Sequence, residues 1–168
     1  RLAHQIIREG FSSAAVTPGV TTTEDLEWWF WQRINDLGLK TWFSPTVDIQ
    51  RPKSSPYQDK VIRRGDLLHC DVGLSYLRLN TDHQELAYVL KPGETEPPAG
   101  LRAALARANR LQDILVEEFK AGRSGNQVLA AALSRMRTEG LKGSIYTHPL
   151  GFHGHAAGPT IGLWDKQD

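Results

Sequence analysis

The chain has 168 residues, 40% of them hydrophobic and 23% charged, which fits one folded domain spanning 1–168 and is too short for two ordinary ones. Its 20 Lys and Arg against 19 Asp and Glu leave a formal charge of +1, and the basic residues are scattered, which argues against a phosphate-binding face and a nucleic-acid partner. There is no apolar run of about 18 residues for a membrane span, and the single cysteine, Cys70, excludes an internal disulfide and a multi-cysteine zinc site.

Leu2, Ile6 and Ile7 share one face of a helix over Arg1 to Glu9 that Gly10 can end, and Thr17-Pro18-Gly19 marks a turn. Thr21 and Glu24 have capping-box spacing, which predicts a helix from about Thr23 to Leu37, with Gly38 beyond it. Leu26, Trp29, Phe30, Ile34 and Leu37 recur at helical spacing, so Trp28, Trp29 and Trp31 are expected to serve mostly in packing. Short β-prone stretches follow at Thr46 to Gln50, Leu67 to Val72, Tyr76 to Leu79 and Glu85 to Leu90, with a loop over Arg51 to Lys60. After Pro97-Pro98 an apolar stripe of Leu101, Ala104, Leu105, Ala108, Leu111, Ile114 and Leu115 predicts a helix over Ala99 to Lys120, and Ser124 can cap another running to about Glu139. Strands bracketed by helix pairs make an α+β domain.

Two features carry chemistry. Asp71 and Asp82 lie in β-prone segments that otherwise read as buried, although aspartate is a poor strand former. On adjacent antiparallel strands they can sit across from each other about 5 Å apart. Carboxylates that close repel unless a cation lies between them, and paired divalent metals are one recurring answer. Service in turns is the alternative, and it is the expectation for Asp66 after Gly65. The second feature is His148, His153 and His155 in a glycine-rich stretch, where imidazole can ligate zinc, iron or manganese. His69 shares strand parity with Asp71 and can face the same site. His4 is expected to be a solvated helix residue and His83 a strand neighbour.

These segments resemble the pita-bread metallopeptidases: aminopeptidase P, methionine aminopeptidase, prolidase and the metal-free creatinase. The resemblance rests on Thr17-Pro18-Gly19-Val20-Thr21-Thr22, on Gly65-Asp66 with Asp71-Val72-Gly73, on the interval to Asp82, and on His148-Pro149-Leu150-Gly151 followed by His155. It implies a pita-bread fold and a metal-dependent hydrolase that removes N-terminal residues from a peptide substrate. Asp71, Asp82 and His148 would be ligands to two divalent ions (manganese, cobalt, iron or zinc), and His155 would contact the substrate and the tetrahedral intermediate. The family's two glutamate ligands would follow Asp168, so the chain is expected to be incomplete at its C-terminus and inactive as it stands. The family's loop histidine has no counterpart over Pro52 to Ser55, and Ser144 stands where proline-specific relatives carry another. A non-catalytic binding protein on the same fold and a metal-free creatinase-like hydrolase remain alternatives. A soluble protein, by preference cytoplasmic, is expected, and a homodimer is open.

Overall fold

Alternation along one strand organises the first half of the chain. In β3 (Leu67–Val72), Leu68, Cys70 and Val72 are buried while His69 and Asp71 face the other way. β3 is the middle of an antiparallel sheet, flanked by β2 (Thr46–Ile49) and β6 (His83–Tyr88). Against its apolar face lie Ala3, Ile6 and Ile7 of α1 (Leu2–Gly10) and Leu26, Phe30 and Ile34 of α2 (Thr23–Asp36), all at most 4% exposed, so that helical spacing on each helix meets period-two spacing on the strand. Burial pushes the Cys70 thiol up to about 12, which leaves it packed and chemically inert.

The structure, a computed structural model, describes residues 1–163 and 165–167. It divides into two compact units, Arg1–Pro97 with Phe152–Gly154, and Pro98–Gly151 with the described residues from His155 onward. Among the described residues no helix is long and apolar enough to cross a membrane.

Three expectations shift in the first unit. The capping box uses Thr22 and Asp25, one residue later than the predicted pair, because Thr21 is engaged elsewhere: its carbonyl accepts from Ile62 N–H at 2.9 Å and its hydroxyl from Thr17 N–H at 2.9 Å. The single strand expected over Tyr76 to Leu79 is a hairpin of β4 (Leu74–Tyr76) and β5 (Leu79–Asn80), which pairs with β1 (Lys40–Thr41) in a second small sheet. Its turn holds Leu77 and Arg78 at φ 49° and 66°. Those angles normally recruit Asn or Gly, so the turn sends no compositional signal. Of the three helix tryptophans Trp29 packs against the core, whereas Trp28 is 73% exposed and Trp31 39%.

The second unit is built on α3 (Ala99–Glu118) and α4 (Gly125–Thr138), the latter capped by Ser124 with Gln127. Its core gathers Ile114, Val128, Leu129, Ala132, Leu133, Met136, Leu141, Ile145 and Ile161. The predicted stripe on α3 is realised only toward its C-terminal end: Ile114 is buried, Leu111 and Leu115 pack beside it, and Leu105 is 48% exposed. Near the helix end the nearly buried Glu118 accepts from Arg135 at 2.8 Å and from Arg123. The Arg135 bond, with help from Arg123, holds its carboxyl below the ordinary range.

Candidate metal centre

The register of β3 with β6 places the carboxylates. Asp71 pairs with Gln84 and Val72 with His83, so Asp82, just ahead of β6, lies two positions along from Gln84 on the same face. The aspartates are therefore diagonal neighbours, not directly opposed as their strand setting suggested; the seven residues Leu74–Asn80 form the β4–β5 hairpin instead of a tight connection. They are nonetheless close enough to interact. The Asp71 carboxyl is raised above its ordinary value, first by burial and then by the charge of Asp82 and a hydrogen-bonding contact with it. Asp71 Oδ1 is buried and no hydrogen-bond donor reaches it among the described residues. A buried acceptor beside a second carboxylate suits a divalent cation, which would satisfy the orphaned oxygen and remove the repulsion together.

Two neighbours that sequence reasoning missed shape this pair. Gln84 donates from Nε2 to Asp71 Oδ2 at 3.1 Å, and its Oε1 meets His69 Nε2 at 3.1 Å, so His69 reaches Asp71 through an amide rather than directly. Trp42 donates from Nε1 to the carbonyl of Thr81, next to Asp82, at 2.8 Å. Its ring also fills the space above Gly73 and Gly154, where a Cβ would overlap it. Gly154, at φ 104°, is closed to side chains by conformation as well. Nothing in composition or periodicity marks Gln84 or Trp42, since each acts through tertiary placement.

Asp66 does serve a turn, accepting from Arg63 N–H at 2.6 Å, but it also forms a buried pair with Arg51, whose Nε donates to Oδ1 at 2.8 Å. Arg51 further donates to the carbonyls of Asp59 and Val61, which ties the predicted loop to the start of β3.

In the second unit His148 and His155 come together. Their rings stand edge to face with centroids 4.4 Å apart, and a nitrogen of one lies within 4.8 Å of a nitrogen of the other. His148 is half-buried, His155 exposed, and Tyr146 leans on the His148 ring at 5.7 Å. The short strands β7 (Leu150–Gly151) and β8 (Gly154–His155) account for the pairing by folding the glycine-rich stretch back on itself. The third histidine of the stretch, His153, turns instead onto Phe152 with ring centroids 4.5 Å apart. A cavity of about 610 Å³ lies beside His148, with Phe119, Val128, Pro149 and Ile161 as apolar walls and Lys120 and Arg123 at its edge. Elsewhere His83 opens β6 as expected, whereas His4 is not simply solvated: it hydrogen-bonds Glu85 and packs edge-on against His83 at 4.6 Å.

No curated protein is matched by the sequence. Solved structures are. Prolidase from Pyrococcus furiosus is 20% identical with a TM-score of 0.72, the match covering 98% of this chain and 48% of that one. X-Pro aminopeptidase from Thermotoga maritima is 20% identical at a TM-score of 0.70, covering 95% and 45%. Methionine aminopeptidase from Thermotoga maritima is 19% identical at 0.55, covering 94% and 64%. The chain thus spans less than half the length of the first two. At such identities the likeness carries the fold, which is the expected α+β pita-bread arrangement. Family membership rests on the sequence itself: the model of metallopeptidase family M24 matches residues 1–163, nearly the whole length, and the chain belongs to that family.

Proposed function

We propose that the protein is an aminopeptidase of the aminopeptidase P kind, which removes N-terminal residues from peptides and depends on two divalent metal ions. Asp71, Asp82 and His148 would be ligands and His155 a catalytic residue. The observation that supports this most is the buried Asp71 oxygen without a donor beside a second carboxylate.

Bound divalent ions would act as Lewis acids toward the scissile carbonyl. The protein's own groups have separable tasks. Asp71 would supply negative charge from within the paired strand β3, and Asp82 from the residue just ahead of β6. His148 would offer an imidazole nitrogen, with its Nδ1 3.4 Å from its neighbour's carbonyl oxygen, at Pro149. His155, exposed beside it, would donate a ring N–H to the oxygen that gains charge as the carbonyl is attacked. The apolar walls near His148 would receive substrate side chains. Mixed carboxylate and imidazole donors select weakly among manganese, cobalt, iron and zinc, and manganese is the first to try.

The test is elemental analysis of the full-length protein together with its hydrolysis of dipeptides and Xaa-Pro peptides. Asp82→Asn should lose metal and hydrolysis together, while His155→Ala should retain metal and lose mainly turnover. Hydrolysis without any transition metal would favour the creatinase-like alternative. Metal binding without hydrolysis of any of these peptides would favour a binding protein.

A further inference from the structure

Gln84 occupies an exposed position directly across from Asp71 in the β3–β6 register, and its amide has a defined orientation. A carboxylate only accepts, so the atom 3.1 Å from Asp71 Oδ2 is the NH2 group, and Oε1 must face His69. That obliges His69 to donate from Nε2. The row His69, Gln84, Asp71 therefore has one consistent proton arrangement, with every bond on the outer face of the sheet. It ends on Asp71 Oδ1, the oxygen that no donor reaches.

We infer that Gln84, oriented by His69, is a positioning residue that holds the Asp71 carboxylate by Oδ2 and reserves Oδ1 for a metal ion. The inference rests on the metal-centre reading above. A neutral amide suits the task better than a cation, because it fixes the carboxylate without cancelling the charge that a metal needs. Lysine or arginine there would compete with the ion. Asp48 Oδ2, 3.9 Å from His69 Nδ1, stands at the other end of the row, on the side of His69 away from Gln84 Oε1.

Titration calorimetry of Co²⁺ into the metal-free protein tests this, with the visible absorption of the cobalt form as a second readout. Gln84→Met keeps the length of the side chain and removes both hydrogen bonds. It should weaken cobalt binding roughly tenfold and alter the spectrum, while thermal unfolding without metal stays as in the parent. His69→Leu should weaken binding by a smaller factor, and the loss in the double variant should be less than the product of the two single losses, because the histidine's hydrogen bond reaches Asp71 through the amide. Gln84→Ser reads the same loss if the methionine variant does not fold, and Gln84→Glu should not restore the parent spectrum. Parent-like binding and spectrum in Gln84→Met, with binding lost in Asp71→Asn, would overturn the inference and leave the metal centre standing. Effects of Gln84→Met and His69→Leu that multiply would also overturn it. Undiminished binding in Asp71→Asn would remove the centre and the inference together.

Discussion

The aspartates and the histidines of the candidate centre are held in different ways. Asp71 sits inside a six-residue strand paired on both sides, and Asp82 immediately precedes another. Period-two geometry and backbone ladders then fix which face each carboxylate shares. His148 and His155 lie in a stretch whose only regular structure is a hairpin of two-residue strands. There, side-chain contacts and glycine conformations must supply what a ladder supplies elsewhere. A sheet thus delivers charge to a fixed place, while a loop delivers imidazoles whose placement depends on each packing contact around them.

Breaking the support of the sheet should have the largest effect. Arg51 and Asp66 are each about nine-tenths buried in side chain, at 9% and 10% exposed, and Arg51 ties Asp66, just ahead of β3, to the loop carbonyls of Asp59 and Val61. Arg51→Ala should cost about 3 kcal/mol, because Asp66 would remain buried without its partner. Urea unfolding followed by tryptophan fluorescence measures this, since Trp28, Trp29, Trp31 and Trp42 all lie in the first unit. A loss under about 1 kcal/mol, the range of an exposed pair, would mean that the loop does not brace the aspartates.

Trp42→Phe should have a smaller effect. The phenyl ring keeps part of the contact with Gly73 and Gly154 but leaves the Thr81 carbonyl without its indole donor. The expected cost is about 1 kcal/mol in unfolding. Metal affinity should fall as well, since the lost bond lies one residue from Asp82. Unchanged affinity would show that the strand ladder alone positions Asp82, and so sharpen the contrast between sheet and loop.

The same contrast explains what could be read from the sequence. β3 was legible to the residue because Leu68, Cys70 and Val72 alternate with polar neighbours, and the two later helices because their apolar residues recur between glycine and proline punctuation. The β4–β5 hairpin was not, because Leu77 and Arg78 adopt left-handed turn conformations that neither residue type signals. The exposed half of the α3 stripe misled for the opposite reason: periodicity reports which residues share a face, and only packing decides whether that face is covered. Asp71, Asp82, His148 and His155 could be singled out from composition and motif. Gln84 and Trp42 could not, since their roles exist only in the register of β6 and in the space above two glycines.

The smallest expected effect is a pH dependence, and it reads the burial of Asp71 together with its repulsion from Asp82. Asp71 in the metal-free fold has a carboxyl raised by burial and by Asp82, so the folded state binds its proton more tightly than the unfolded chain does. Its favourable contribution is complete below the unfolded value of about 3.9 and is lost as pH rises through the raised folded value. Asp71→Asn carries no such charge at any pH. The metal-free variant should therefore gain stability relative to the parent as pH rises from about 3.5 to 7, with the difference levelling off above the folded value. Taking this difference cancels the acid sensitivity of carboxylates such as Glu9 and Asp59, which arginines hold below the ordinary range in both proteins. Saturating manganese should reverse the order at neutral pH, because the ionised Asp71 then has a cation to hold. A difference that does not change with pH would mean that neither burial nor Asp82 raises the Asp71 carboxyl, and the sheet side of the centre would lose its main electrostatic support.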